Sequence, residues 1–198
     1  MRFKDLYDEA VAQVQEPPVR FELLKALINQ RHHGVGEIEV RAISYPVQNH
    51  QAHFVTLGED RTSAYDEEFT VAEIRYCDGV DEHPNERRFA LTKELMHVFD
   101  TEEEKTNTRA RFVQLMSEIQ NTPLPQHASA MYLSEIATKW MAAVILCPKH
   151  IRQPLLDPYR EGTMKEAEIA AKLQIPRSFI PDIMDDYYNR AFDTLMAK

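Results

Sequence analysis

Residues 88–99 of the chain have the sequence RFALTKELMHVF. The apolar side chains of Phe89 and Val98, with their apolar neighbours, predict a mostly buried helix. Lys93 and Glu94 place two charges in the middle of that helix. Because charges in a buried helix need partners or a function, this segment is the first candidate for a functional site.

Lys93, Glu94 and His97 form the pattern K-E-x-x-H, which differs by one residue from a zinc-peptidase motif. In H-E-x-x-H, the two histidines project from one helix face onto a single zinc ion, and the glutamate acts as general base. Here Lys93 occupies the first histidine position, while Glu94 and His97 are retained. The pattern alone is weak evidence, because Lys-Glu pairs are common on helices.

A second segment, residues 135–148, has the sequence EIATKWMAAVILCP, which predicts an apolar helix that ends at proline. Together the two segments resemble the ImmA/IrrE family of metallopeptidases. Members pair a helix similar to RFTLAHELGH with a later helix similar to EA[DN]xFAxxLLMP. The matching residues are Arg88, Phe89, Leu91, Glu94, Leu95 and His97 in the first helix, and Ala142, Leu146 and Pro148 in the second.

The resemblance also identifies positions where this chain departs from the family. Counting back from Pro148, the third metal ligand of the family, a glutamate, falls on Ala137. Glu135 lies two residues earlier, and at about 100° per residue it is predicted to point to a nearly opposite face. Lys93 and Ala137 are therefore degenerate site positions, and of the three expected ligands only His97 remains. A catalytic zinc needs three protein ligands and an open position.

The departures predict a vestigial site. Glu94 corresponds to the general base and His97 to a metal ligand, both without their former roles. The ammonium of Lys93 repels a zinc ion, and it could instead replace the charge of the metal by pairing with Glu94 or another acid. Met96 replaces a glycine of the family motif and brings a large side chain beside the site.

The order of the elements predicts an α+β fold, zincin-like, with a small antiparallel sheet packed on central helices and helical N- and C-terminal extensions. Residues 38–43, 53–57 and 69–76 have the alternating pattern of strands. We expect a single domain over residues 1–198. Its parts are N-terminal helices (1–33), the sheet (37–77), two motif helices (84–148) and a C-terminal helical pair (160–195). The individual helices after the sheet are predicted at 84–99, 102–120, 129–147, 163–173 and 178–195.

The composition limits the classes of function and the compartment. Of 198 residues, 43% are hydrophobic, and the formal net charge of −9 disfavours binding to nucleic acids and anionic membranes. The longest strongly apolar run, residues 140–147, is too short to span a bilayer. Cys77 and Cys147 have no metal-type spacing and fit a reducing compartment. We therefore expect a cytoplasmic protein with no membrane association.

Other histidines offer weaker metal sites. His50 and His53 are three residues apart, so on a strand they would lie on opposite faces. His83, His127 and His150 fall in predicted loops, where one of them could join His97 at a rebuilt site. Nothing in the spacing selects one of the three.

Residues 168–183 resemble a helix-turn-helix, with Ala170, Ile175, Ile180 and Ile183 at the core spacings and Gln174 in place of the turn glycine. The second helix, however, carries Asp182, Asp185 and Asp186. A recognition helix needs basic and polar groups for phosphates and base edges. A packing role is therefore the better prediction, and a nucleic-acid partner is disfavoured.

The resemblance implies a catalytically inactive pseudo-metallopeptidase with a protein-binding or regulatory role in bacterial or phage gene control. The expected partner is a protein or peptide, such as a repressor-type regulator, and no cofactor is expected. One alternative is an active zinc endopeptidase with a rebuilt site that uses His97 and Glu94. Another is a helix-turn-helix-type DNA-binding or interaction module.

Overall fold

The computed structural model describes residues 1–32, 34–44, 52–60, 69–106, 108–120 and 128–197. The chain begins with two amphipathic helices, α1 (Phe3–Gln13) and α2 (Phe21–Arg31). Their buried faces follow the helical period, with Phe3, Leu6, Tyr7 and Ala10 in α1 and Phe21, Leu24, Leu27 and Ile28 in α2. Both helices lie within the N-terminal segment where the sequence predicted them.

Three strands follow: β1 (Val35–Ile43), β2 (Ala52–Asp60) and β3 (Phe69–Cys77). Their order in the sheet is β1-β3-β2. β3 is antiparallel to β2 but parallel to β1, so the prediction of an antiparallel sheet is wrong and the sheet is mixed. β2 therefore runs opposite to both β1 and β3. Among the described strands, β3 is central and β1 and β2 form the edges.

The two motif helices pack against each other beside this sheet, as the sequence predicted. α3 (Pro84–Leu95) continues into a short 3-10 helix, Met96–Phe99, and α4 (Arg109–Gln120) follows. The predicted helix over 102–120 therefore begins seven residues later than expected. α5 (Ala130–Leu146) is the second motif helix, and its last six residues are all buried. A 3-10 helix, Asp78–Glu82, joins the sheet to α3.

The sequence did not predict α6 (Lys149–Arg160), which contains Pro154 and Pro158. Proline within a helix removes a backbone hydrogen bond and normally predicts a break. The buried residues Ile151 and Leu155 hold this helix against the core. Tertiary packing thus outweighs the local cost of the prolines.

The C-terminal region contains α7 (Glu166–Leu173), α8 (Ile180–Met184) and α9 (Tyr187–Met196). The predicted helix over 178–195 is divided, because the chain turns at Asp185 and Asp186. Gln174, with φ of 53°, has the left-handed conformation for which glycine is favoured. The guanidinium of Arg88 donates to the carbonyl oxygens of Leu173 (2.8 Å) and Gln174 (2.5 Å), which ties this turn to α3.

Among the described residues, the central core takes side chains from all three strands and from every α-helix except α4. Phe89 is buried as predicted, and Met141 is buried as well, whereas Trp140 and Phe99 are only partly buried against the same cluster. Phe89 also stacks on Phe179, with ring centroids 4.0 Å apart. Within the described ranges, no single helix is long and apolar enough to cross a membrane. α5 and α6 together meet that test by length and composition, but they meet at an 83° bend.

Candidate functional site

The ammonium of Lys93 lies between two carboxylates at the C-terminal end of α3. Its Nζ is 2.9 Å from Oε1 of Glu94 and also contacts Oε2 of Glu135, which comes from α5. The Lys93 side chain is 20% exposed, so this cation is largely withdrawn from solvent. The contact with Glu135 bridges the two motif helices.

His97 faces the same two carboxylates from the 3-10 helix that follows α3. Its Nε2 is 3.8 Å from Oε2 of Glu94 and 3.5 Å from Oε1 of Glu135. Each carboxylate therefore lies between Lys93 and His97. We call these four residues, Lys93, Glu94, His97 and Glu135, the charge ring.

The prediction that Glu135 points away from His97 is wrong. It relied on a register counted back from Pro148, in which Ala137 took the ligand position. In the structure Ser134 and Thr138 are buried, and Glu135 shares their side of α5 and faces α3. Ala137 is half-buried, and it does not line the cavity described below. A helical stripe of Met131, Ser134, Glu135, Thr138 and Ala142 could have revealed this face from sequence.

Three residues that the sequence analysis did not single out fix the ring in place. Oδ2 of Asp100 is 2.7 Å from Nδ1 of His97, and the Ser134 hydroxyl donates to Oδ1 of Asp100 at 2.6 Å. The backbone N–H of Phe54, in β2, donates to Oε2 of Glu94 at 2.9 Å. Asp100 and Ser134 therefore orient the imidazole, and Phe54 ties Glu94 to the sheet.

Electrostatics favour the charged forms of Lys93, His97 and Glu135. Burial alone would lower the pKa of the Lys93 ammonium, but the charges of Glu94 and Glu135 outweigh it, and the pKa is raised. Burial also opposes the charge of His97, but the hydrogen bond to Asp100 and the charge of Glu94 raise its pKa. Burial would raise the pKa of Glu135, yet Lys93 and His97 lower it.

These protonation states limit the chemistry available. A lysine nucleophile needs a lowered pKa, whereas Lys93 holds its proton more firmly than usual. Both oxygens of Glu94 already have partners, Oε1 on Lys93 and Oε2 on the Phe54 N–H. The Ser134 hydroxyl donates to Asp100 and not to Nε2 of His97, so these residues do not form a serine-type triad.

The ring fits a zinc ion only in part. Two ligands of a tetrahedral zinc, each about 2.0–2.1 Å from the metal, are roughly 3.3 Å apart. Nε2 of His97 and Oε1 of Glu135 are 3.5 Å apart, which is close to that spacing. The third corner, however, is the Lys93 ammonium, which has no lone pair to offer. Among the residues that the structure describes, no group of three or more His, Cys, Asp or Glu side chains is arranged to hold a metal.

The other histidines do not complete this set within the described ranges. His53 lies on β2 and lines the same cavity, while Nε2 of His150 is 2.9 Å from the carbonyl oxygen of Val14, at another part of the molecule. His83 is exposed just before α3. His50 and His127, which the sequence also offered, lie outside the described residues.

A cavity of about 380 Å³ opens beside the charge ring. β2 forms one wall with residues 52–56, and α4 forms another with the apolar side chains of Phe112, Leu115 and Met116. Lys93, Glu94, His97 and Glu135 lie at its polar end, together with Asp100. The cavity thus combines an apolar wall, a charged end and one edge of the sheet.

Comparison of the chain with protein-family models, with curated proteins and with solved structures finds no match.

Proposed function

We propose that this chain is a non-catalytic relative of the ImmA/IrrE metallopeptidases, which binds a protein or peptide in the cavity beside Lys93. The observation that supports this proposal is the position of the Lys93 ammonium. It lies against Glu94 and Glu135, and His97 faces the same two carboxylates. A positive charge from the chain itself replaces the charge of the metal ion.

In this proposal the protein is not catalytic, because neither Glu94 nor Lys93 can do the work of a zinc peptidase site. The general base of a zinc peptidase acts on a metal-bound water, but both oxygens of Glu94 are engaged by Lys93 and Phe54. The ammonium is a donor and cannot activate a water as a metal does. The protein therefore needs no zinc in this proposal.

A peptide suits the cavity for two reasons. The volume of about 380 Å³ falls in the range of ligand sites, roughly 300–1,000 Å³, and the apolar wall of α4 offers a place for an apolar side chain. The edge strand β2 offers backbone groups to which an extended segment can add as a further strand. By resemblance to the family, the partner is a repressor-type regulator of bacterial or phage origin, and the site of action is the cytoplasm.

A rebuilt zinc endopeptidase is the second candidate, because Glu135 already lies at ligand spacing from His97. It is less well supported, since Lys93 would have to leave the ring and a third ligand would have to take its place. Elemental analysis of the purified protein separates the two candidates: stoichiometric zinc would favour the enzyme.

DNA binding by the C-terminal helices is the weakest candidate. Asp182, Asp185 and Asp186 are exposed, and α8 is only five residues long. Acidic side chains on this surface would repel phosphates.

The proposal can be tested with a displayed library of random nine-residue peptides. Met116→Trp adds a large side chain to the cavity wall, whereas Val113→Trp makes the same change on the exposed side of α4, where Val113 is 59% exposed. We expect the natural protein and Val113→Trp to enrich a common set of peptides, and Met116→Trp to lose them.

Thermal unfolding of both variants checks that the fold is retained. Enrichment by Met116→Trp equal to that of the natural protein would rule out the cavity as the binding site. No enrichment by any form would rule out peptide binding.

A further inference from the structure

We propose that Glu94 blocks the cavity edge of β2, and that a docking segment must displace its carboxylate before it can pair with the strand. The inference rests on the proposed function and assigns to Glu94 a role different from that of a general base. Glu94 competes with the partner for the backbone N–H of Phe54. The contact is thus an autoinhibitory one, built into the resting form of the protein.

The backbone of Phe54 turns its polar groups away from β3. Among the described strands, β2 lies at an edge of the sheet and pairs with β3 on one side. The Phe54 N–H donates to Glu94, so it points away from β3. In an antiparallel pair, the N–H and C=O of a residue point to the same side. The Phe54 carbonyl therefore also faces away from β3.

An added strand must pair with the open edge of β2. Strand addition uses the N–H and C=O groups on the open edge, at every second residue. Phe54 is central among the five β2 residues that line the cavity, Ala52 to Thr56. A peptide that enters the cavity along β2 therefore meets the occupied N–H in the middle of its path.

Two features keep the Glu94 carboxylate on the Phe54 N–H. The Glu94 side chain is only 6% exposed, and Lys93 holds its other oxygen at 2.9 Å. A hydrogen bond from an N–H to a carboxylate is stronger than one to a neutral carbonyl. The carboxylate is thus both fixed in place and a better acceptor than the peptide carbonyl that must replace it.

The partner that fits this site is an extended chain segment that offers a backbone carbonyl to Phe54. Its remaining binding energy must come from the other edge groups and from an apolar side chain against α4. After displacement Glu94 keeps its pairing with Lys93, so no buried carboxylate is left without a partner. A folded surface without an extended segment would not open the edge.

Two measurements test the inference. The first is hydrogen exchange of the Phe54 amide, followed residue by residue with NMR. The second is retention of the random nine-residue peptide pool. Glu94→Ala removes the blocking carboxylate, and Glu94→Met removes it while filling the same space, in case the alanine variant does not fold; in both variants Lys93 keeps its contact with Glu135. Glu135→Gln is the control, because it changes the other carboxylate on Lys93 without touching Phe54.

We expect the Phe54 amide to exchange faster in both Glu94 variants and unchanged in Glu135→Gln. Peptide retention by the Glu94 variants should rise on the order of tenfold, the equilibrium factor of one charge-assisted hydrogen bond. Unchanged exchange of the Phe54 amide would overturn the inference. If the amide exchanges faster but the Glu94 variants and the natural protein retain peptides equally, Glu94 does not compete with the peptide for the Phe54 N–H. The inference would then be wrong, and the proposed function would stand.

A third outcome is that the Phe54 amide exchanges faster in the Glu94 variants but no form of the protein retains peptides. That outcome would contradict the proposed function itself. The contact between Glu94 and Phe54 would then be purely structural, and the inference would fail with the function. The two failures are therefore distinguishable, because only the second abolishes retention by the natural protein.

Discussion

Two parts of the molecule bury a carboxylate against cations, and they do so in different ways. On the sheet, Glu73 is 1% exposed and lies between Arg41, with Nε 2.7 Å from Oε1, and Arg75. We call these three residues the sheet cluster. The arginines are 65% and 33% exposed, whereas in the charge ring the cations Lys93 and His97 are only 20% and 11% exposed.

The difference in exposure separates a structural contact from a candidate site. Arginine can lie along a surface with its charged end in water. In the sheet cluster, therefore, the Glu73 carboxylate is the main group that loses its contact with water. The charge ring desolvates both signs of charge, and such pairs contribute little net stability compared with apolar packing. The charge ring, which lies beside the cavity, is therefore the candidate site, and the sheet cluster is the structural comparison.

The first prediction compares the loss of one cation from each cluster. Lys93→Met leaves Glu94 and Glu135 buried without their ammonium, and removal of one partner of a buried pair costs about 3–5 kcal/mol. Arg41→Met removes a largely exposed charge, for which we expect a loss of about 1 kcal/mol or less. Urea unfolding of the two variants measures both values. Equal losses of unfolding free energy would show that the charge ring depends on its cation no more than the sheet cluster does.

The second prediction concerns pH. Because the pKa of His97 is raised above its ordinary value of 6.5 in the folded protein, its charge stabilises the fold fully below pH 6.5. That contribution is lost as the pH rises through the folded pKa. We expect the urea midpoint of the natural protein to fall over this interval and that of His97→Gln to fall less. Glu73→Gln should keep the natural slope.

The pH prediction would fail if His97→Gln and the natural protein had parallel pH profiles. Titration of the His97 imidazole by NMR gives an independent reading, and a pKa below 6.5 would contradict the assigned charges.

The two halves of α5 show how far the sequence could predict the site. The segment from Met141 to Leu146 was predicted as the apolar end of a helix, and it is buried, because unbroken apolar side chains are most stable out of water. The polar half was predicted incorrectly, because its residues were aligned with the family motif by counting back from Pro148. That alignment placed Glu135 on the wrong face of the helix. The packing of α5 on α3 places Glu135 on the face of the ring, which the stripe of Met131, Ser134 and Thr138 would also have indicated.

The remaining errors also concern contacts between distant residues. Helix and strand periods predicted most elements, but the parallel pairing of β1 with β3 depends on the path of the chain between strands. The contact between Phe54 and Glu94 joins residues 40 positions apart, and no local pattern marks it. α6 was missed because its buried face compensates for two prolines, a balance that depends on its tertiary neighbours.

The central claim, that the Lys93 ammonium has replaced the charge of a metal ion, can be tested by restoring a ligand at that position. Lys93→His would give an i, i+4 histidine pair, and Glu135 already lies 3.5 Å from His97, so no change at Ala137 is needed. Zinc titration calorimetry should detect stoichiometric zinc on Lys93→His, none on the natural protein, and a large loss of affinity in Lys93→His/Glu135→Gln. Stoichiometric zinc on the natural protein, or no gain in Lys93→His, would contradict the account.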